Sequence, residues 1–282
     1  MNILYCGDRN IEDGLTLSLL SVRRHVSEPL NVYVFTLDYH ERGYDIHPLR
    51  ESAIAYLETV LKEKNPESSI RLIDCTHQFS SEPPEANMDT RFTPCCMLRL
   101  YADWIQEIPD RILYLDYDVV CRKDFTDFYY QSMTNIELAG VLDYYGRWFY
   151  SRPLWRHNYL NSGVLLMNMK LIRDNGLFVW CRELCAQKRM FLPDQHALNR
   201  LSVGKKICSH IYNDQRHLSE ETVFQHFSTT FRLFPYPQKV SVKPWDVERL
   251  HKKLKIFEYD DLLQEFSKVR STMKQQSITN NL

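Results

Sequence analysis

The stretch "RILYLDYDVV" (residues 111–120) decides the reading of this chain. Its first half, Ile112 to Leu115, is an apolar run suited to a strand buried on both faces of a parallel sheet. It then places two carboxylates, Asp116 and Asp118, one residue apart. If the strand continues through them, alternation puts both on one face. Like charges that close repel, and three arrangements relieve them: a shared proton, a basic partner or a bound cation. A divalent cation is the economical one, because it neutralises both groups and keeps coordination positions open for a ligand.

Outward from this segment the chain alternates strand and helix signals. "MNILYCG" is a short apolar run, "GLTLSLLSVRRHV" has helical spacing, and "LNVYVFTL" is rich in β-branched and aromatic residues. "ESAIAYLETVLKEKN" is amphipathic and "SIRLIDCT" is strand-like. That β-α-β-α-β succession predicts an α/β fold with a mostly parallel central sheet flanked by helices. After the Pro83-Pro84 loop, a helix is expected across "RFTPCCMLRLYADWI", strands at "ELAGVLDYY" and "SGVLLMNMK", and helices across "GLFVWCRELCAQKR" and from Asp194 to Leu201. A charged helix is expected from Val247 to Lys274. We find no internal repeat, and divide the chain into a domain over 1–246 and a C-terminal helical extension over 247–282.

In a parallel sheet, ligands gather outside the carboxyl ends of strands where strand order reverses. Asp8 and Asn10 follow the first strand, and Asp116 and Asp118 follow a later one, so both clusters are expected on one sheet edge. Asp8 and Asn10 are also ordinary turn formers.

With 282 residues, 44% of them hydrophobic, the chain can build a sizeable core, and a net charge of −1 gives no electrostatic footprint for a nucleic-acid partner. The N-terminal apolar run is broken by Asp8 and Arg9, which fits neither a signal peptide nor a membrane span. A soluble, cytoplasmic protein is the expectation. The charged C-terminal helix leaves room for weak association with the inner face of a membrane. The eight cysteines form no C-x-x-C pair and sit largely in apolar runs, as buried free thiols do. Cys181 and Cys185 read as helical core rather than as half of a zinc site.

Several segments, in order, resemble family 8 glycosyltransferases, retaining enzymes of GT-A fold that include bacterial lipopolysaccharide galactosyl- and glucosyltransferases and glycogenin. "RILYLDYDVV" resembles the family's D-x-D segment, "ILYCGDRN" its first strand, "YLNSGVLLMNMK" its "FNAGVLLIN" and "LPDQHALN" its "QDQDILN". "QHF" followed by "VKPW" resembles the close of its domain. The resemblance spans Met1 to Trp245. It implies transfer of glucose or galactose from a UDP-sugar to a saccharide or glycoconjugate (glycolipid, polysaccharide or glycoprotein), assisted by Mn²⁺ or Mg²⁺.

On that resemblance Asp116, Asp118 and His226 are the metal ligands, a set that suits Mn²⁺. Asp8 and Asn10 lie at the uracil and ribose pocket with Asp116 near the ribose, Cys6 and Tyr117 also bind the donor, and Arg99 and Lys243 lie near the diphosphate. Asp143, Asn161, Ser162, Gly163, Asp194 and Gln195 contact the donor sugar. Gln195, a neutral amide, would stabilise an oxocarbenium-like charge during front-face departure and attack. Asp194 as covalent nucleophile is the alternative. Two departures stand out: the link from His226 to Lys243 is longer than the family's and lacks its glycine, and His196 replaces an acid. The aromatic, basic segment from Tyr144 to Tyr159 reads as a lid or acceptor platform. Two other functions are compatible with an apolar strand ending in D-x-D: a haloacid-dehalogenase-type phosphatase, and a non-catalytic nucleotide-sugar- or Ca²⁺-binding protein.

Overall fold

A computed structural model describes residues 1–90, 94–144, 158–216, 218–232 and 238–279, without side chains at 230–240 and 276–279. The segment expected to form a lid or acceptor platform falls almost wholly outside them.

The apolar runs become strands of a seven-stranded sheet: β1 (Asn2–Cys6), β2 (Asn31–Thr36), β3 (Ser69–Asp74), β4 (Arg111–Leu115), β6 (Leu138–Leu142), β7 (Leu160–Asn168) and β8 (Lys205–Ile207), in the order β3-β2-β1-β4-β7-β6-β8. The pairs β1–β2, β2–β3, β1–β4 and β6–β8 are parallel, whereas β7 runs antiparallel to both neighbours. The sheet is therefore mostly parallel, as expected.

Alternation along the strands splits the core between the two faces. Ile3, Tyr5, Leu113 and Leu115 pack with α1 (Glu12–His25) and α2 (Glu51–Lys62) on one face. Leu4, Cys6, Ile112 and Tyr114 pack on the other. That second face is covered by the helices that follow β7: α3 (Met169–Asn175), α4 (Leu177–Gln187) and α5 (Pro193–Leu201). Each large apolar side chain buried this way contributes about 1.5–3 kcal/mol.

The chain builds β1, β2 and β3 outward on one side, then returns to lay β4 on the other side of β1. The reversal lies between β1 and β4. Asp8 and Asp116 stand just past the carboxyl ends of these two adjacent parallel strands, so the expected common edge forms.

Three local expectations are corrected. The segment after Thr93 is a 3₁₀ helix, Pro94–Tyr101, rather than an α-helix running toward Pro109. Met97, Leu98, Arg99, Leu100 and Tyr101 are all buried, so packing on every side replaces the amphipathic period of a surface helix. The C-terminal helix is broken: Lys255 takes the left-handed conformation (φ 56°), and α6 (Asp260–Thr279) starts afresh. It packs on α1, joined by Arg270–Asp13 and Arg24–Glu265 ion pairs at 2.6 Å each. Finally, Asp116 and Asp118 are not in a strand. β4 stops at Leu115, and the two aspartates flank a turn leading into β5 (Val119–Cys121).

All eight cysteines are free thiols, and Cys181 and Cys185 are core residues of α4. No helix among the described residues is long and apolar enough to cross a membrane.

Candidate active site

The turn after β4 is held by two backbone hydrogen bonds, Asp116 N–H to Gly163 O (2.8 Å) and Val119 N–H to Asp116 O (3.1 Å). β5 then pairs antiparallel with β9 (Phe224–His226), and the register sets Val119 opposite His226. A residue 108 positions downstream of Asp118 thereby arrives beside it. His226 Nε2 lies 3.3 Å from Asp118 Oδ1 and 3.6 Å from Asp116 Oδ2. One ligating atom from each residue falls within 4.8 Å of the others, with Asp118 and His226 buried and Asp116 half-buried.

Gly163, on β7, is what lets the ring in. A Cβ there would lie 2.7 Å from His226 Nδ1 and 2.8 Å from Asp116 Oδ2, with His226 Cε1 closer still. The space that a side chain at position 163 would need is taken by the histidine and the aspartate.

Basic groups close around the carboxylates. Lys243 Nζ pairs with Asp118 Oδ2 at 2.5 Å. Arg99 is buried, at 2% exposure. Its Nη2 stands 3.3 Å from both Asp116 Oδ1 and Asp194 Oδ2, its Nη1 donates to Ser162 O, and its guanidinium stacks 3.7 Å over the Tyr114 ring. Tyr114 O–H donates to Asp116 Oδ1 (2.7 Å). Arg99 thus ties the β4 turn to the start of α5.

These contacts shift the local acidities. Burial alone would raise the Asp118 carboxyl, but Lys243 and His226 together hold it well below the usual carboxylate range. Burial would lower His226, and the two aspartates overcome this and raise it. Asp194 is raised, chiefly by burial, with Arg99 opposing. Tyr117 is pushed up to about 12 by burial and by neighbouring Asp118.

A chain of buried amides leads away from the histidine. Asn213 Nδ2 donates to Asn161 Oδ1 (2.9 Å), so its Oδ1 faces His226 Nδ1 at 3.2 Å and accepts the proton there. Asn161 Nδ2 donates to Asp143 Oδ2 (2.8 Å), which also receives Gln195 Nε2 (3.2 Å). Gln195 Oε1 accepts from Ser162 N–H (2.9 Å). Asp143, Asn161, Ser162, Gly163, Asp194, Gln195 and the Asp116–Asp118–His226 cluster therefore form one connected network. Sequence reasoning missed Asn213, which is 1% exposed and lies in the polar-looking segment "IYNDQRH".

Asp8 and Asn10 sit on the same edge, yet their recorded bonds are local. Asp8 caps the turn after β1, accepting from Asn10 N–H (3.0 Å) and Asn10 Nδ2 (3.1 Å). Cys6 is buried beneath the edge, its thiol pushed up by burial. In the link between His226 and Lys243, residues 233–237 lie outside the described residues, and Thr230–Arg232 on one side pairs antiparallel with Gln238–Val240 on the other. His196 is half-buried on α5, its ring 6.4 Å from that of Tyr159.

The turn carrying these acids lies at the switch point of the α/β sheet, where such folds bind their ligands. The model of the family described as glycosyl transferase family 8 matches residues 2–246, and the chain belongs to that family. Lipopolysaccharide 1,2-glucosyltransferase of Escherichia coli K12 is 25% identical over 217 residues, covering 72% of this chain and 59% of that enzyme. Lipopolysaccharide 1,3-galactosyltransferase of Salmonella typhimurium LT2 is 25% identical over 252 residues, covering 80% and 70%. The chain thus spans less than two thirds of the length of the first of these. Among solved structures, galactosyltransferase LgtC in complex with donor and acceptor sugar analogues shares the fold, with a TM-score of 0.61 and 19% identity over 96% of each chain. The fold is GT-A.

Proposed function

We propose that this protein is a retaining hexosyltransferase that moves glucose or galactose from a UDP-sugar to a saccharide or glycoconjugate acceptor. Residues 1–246 form the catalytic unit, and 247–282 are an extension whose helix α6 buttresses α1. The observation that carries the reading is the convergence of Asp116, Asp118 and His226 at the sheet's switch point.

The donor set fits a divalent cation of the Mn²⁺ or Mg²⁺ kind. Two carboxylates and one imidazole meet without a side chain at position 163 to fill the space. Asn213 holds the Nδ1 proton, which leaves Nε2 as the ligating atom. A divalent ion bound there supplies Lewis acidity at the leaving diphosphate.

This chain's own residues do the rest. Lys243, now on Asp118, is the mobile cation that turns to the diphosphate when a donor enters. Arg99 stays in place, because its guanidinium is already committed to Asp116, Asp194 and Ser162, and it acts by positioning the carboxylates. Asp143 and Asn161 fix sugar hydroxyls. Gln195 stabilises positive charge at the anomeric carbon while leaving group and acceptor share one face. Its amide carbonyl is aimed by Ser162 N–H and its nitrogen by Asp143. Asp194 is buried against Arg99, which favours positioning over nucleophilic attack.

A thermal-shift screen of nucleotide sugars tests the reading, since a ligand that favours the native state raises apparent stability. Stabilisation by UDP-glucose or UDP-galactose that requires Mn²⁺ is expected. Metal-independent hydrolysis of a phosphomonoester would favour the phosphatase instead. Donor binding without transfer to any acceptor would favour a binding module.

A further inference from the structure

A second convergence of metal-ligating side chains lies outside the candidate active site, in "DYHERGYDIH" (residues 38–47). Tyr39 and Ile46 exchange both backbone hydrogen bonds at 3.0 Å, and Tyr44 N–H returns to Glu41 O. Arg42 and Gly43 both have positive φ, 55° and 83°, the conformation of a two-residue hairpin turn. The register follows. Asp38 stands across from His47, and His40 from Asp45.

Tyr39 and Ile46 point inward, at 4% and 5% exposure. By alternation the four residues flanking them point outward together. Two D-x-H triplets, Asp38–His40 and Asp45–His47, thus meet on one exposed face.

The side chains on this face converge closely. His40 Nδ1 lies 2.7 Å from Asp45 Oδ1, and His40 Nε2 lies 2.8 Å from Asp38 Oδ1. The His40 and His47 rings are 4.8 Å apart, and His47 Nε2 is 3.4 Å from Asp45 Oδ1. Asp38, His40 and His47 each offer an atom within 4.8 Å of the others. One dication held between the two rings and the carboxylates would satisfy these donor atoms with a single centre of charge.

We propose that this hairpin face is a Zn²⁺ site, with Asp38, His40 and His47 as ligands and a water in the fourth position. Nitrogen and oxygen ligands in a small convergent set suit Zn²⁺. Asp45 is the positioning residue: it accepts the hydrogen bond from His40 Nδ1–H and aims Nε2 at the ion, the usual carboxylate–histidine–metal arrangement. On binding, the ion replaces the proton that His40 Nε2 shares with Asp38, and that proton is released to solvent. The site is separate from the glycosyl-transfer site but touches its border, since Arg9 N–H donates to His47 O (2.9 Å) between Asp8 and Asn10. Zn²⁺ would therefore staple the hairpin against the turn that carries Asp8.

The test uses the full chain, stripped by chelator and titrated with Zn²⁺ alone by calorimetry, in a His226→Ala background that removes the other cluster. One Zn²⁺ per chain is expected, and none once His40→Ala and His47→Ala are added. Asp45→Asn keeps the stoichiometry but weakens affinity by about 10–100-fold. The added substitutions lie on an exposed face, and an unchanged melting temperature of the stripped protein confirms that they fold. Zn²⁺ should raise that temperature in the His226→Ala chain and not in the triple variant. Equal Zn²⁺ uptake by the His226→Ala and triple variants, or no uptake by the former at a tenfold excess of ion, overturns the proposal.

Discussion

Two clusters of aspartate and histidine lie in this chain at opposite extremes of burial. Asp116, Asp118 and His226 have side chains 28%, 8% and 5% exposed, and need the whole fold to bring position 226 back to position 118. Asp38, His40 and His47 are 48%, 47% and 47% exposed and come from ten consecutive residues. Residue types are shared; surroundings are not. Around the buried cluster, low dielectric strengthens each charge interaction, so Arg99 holds Asp116 and Asp194 in place. Around the hairpin, water and salt weaken the same contacts. The first arrangement suits charge that develops during a reaction, and the second suits a structural clip.

Breaking the buried cluster should therefore cost most. Gly163→Ala would set a methyl group 2.7 Å from His226 Nδ1 and 2.8 Å from Asp116 Oδ2, so both groups must shift. Mn²⁺ affinity should fall by more than the about 10–100-fold typical of losing an outer-shell partner. Calorimetry checks this, and Zn²⁺ binding at the hairpin should be untouched.

Asn213→Ala comes next. It frees the His226 ring without removing a ligand, so Mn²⁺ affinity should drop by about 10–100-fold. Asn213→Asp retains an acceptor for Nδ1 and should restore much of that affinity, an outcome that general loosening of the fold would not produce.

The smallest effect separates the clusters by pH. Both His226 and His40 have pKa values raised in the fold. For His226, burial opposes and the two aspartates win. For His40, bonds to Asp38 and then Asp45 do it. A raised histidine contributes stability that is fully present below its unfolded value of about 6.5 and is lost as pH rises through the folded pKa. In chelator-treated protein, His226→Gln should flatten the fall in urea midpoint above that pH. His40→Gln should barely change it, because its contacts are solvated. Equal flattening by both would mean that burial does not separate the two sites.

How much of this was legible in sequence follows from the range of the contacts involved. The β-α-β succession and the two strand-end clusters could be read directly, because apolar periodicity and short polar punctuation are local signals. Asp116 and Asp118 were expected after a strand, but the residue at which it stops was not legible, since nothing in "YLDYDVV" marks where β4 lets go. His226 was reached through resemblance alone. Its pairing with Val119 spans more than a hundred residues and leaves no periodic trace. Asn213 and the burial of Arg99 were invisible for the same reason: a polar residue looks solvated until tertiary packing encloses it. The two D-x-H triplets were readable but passed over, because the hairpin that joins them turns on an arginine held at positive φ, where an asparagine or aspartate would have signalled the turn.

The central claim is that Asp116, Asp118 and His226 act together in sugar transfer. Its most direct test is UDP release from UDP-glucose and UDP-galactose by the wild-type protein and by Asp118→Ala, with and without Mn²⁺. The account predicts release that depends on Mn²⁺ in the wild type with at least one of the two donors, and none above background in the variant. Release that persists in Asp118→Ala, or that proceeds equally after chelation, would contradict it.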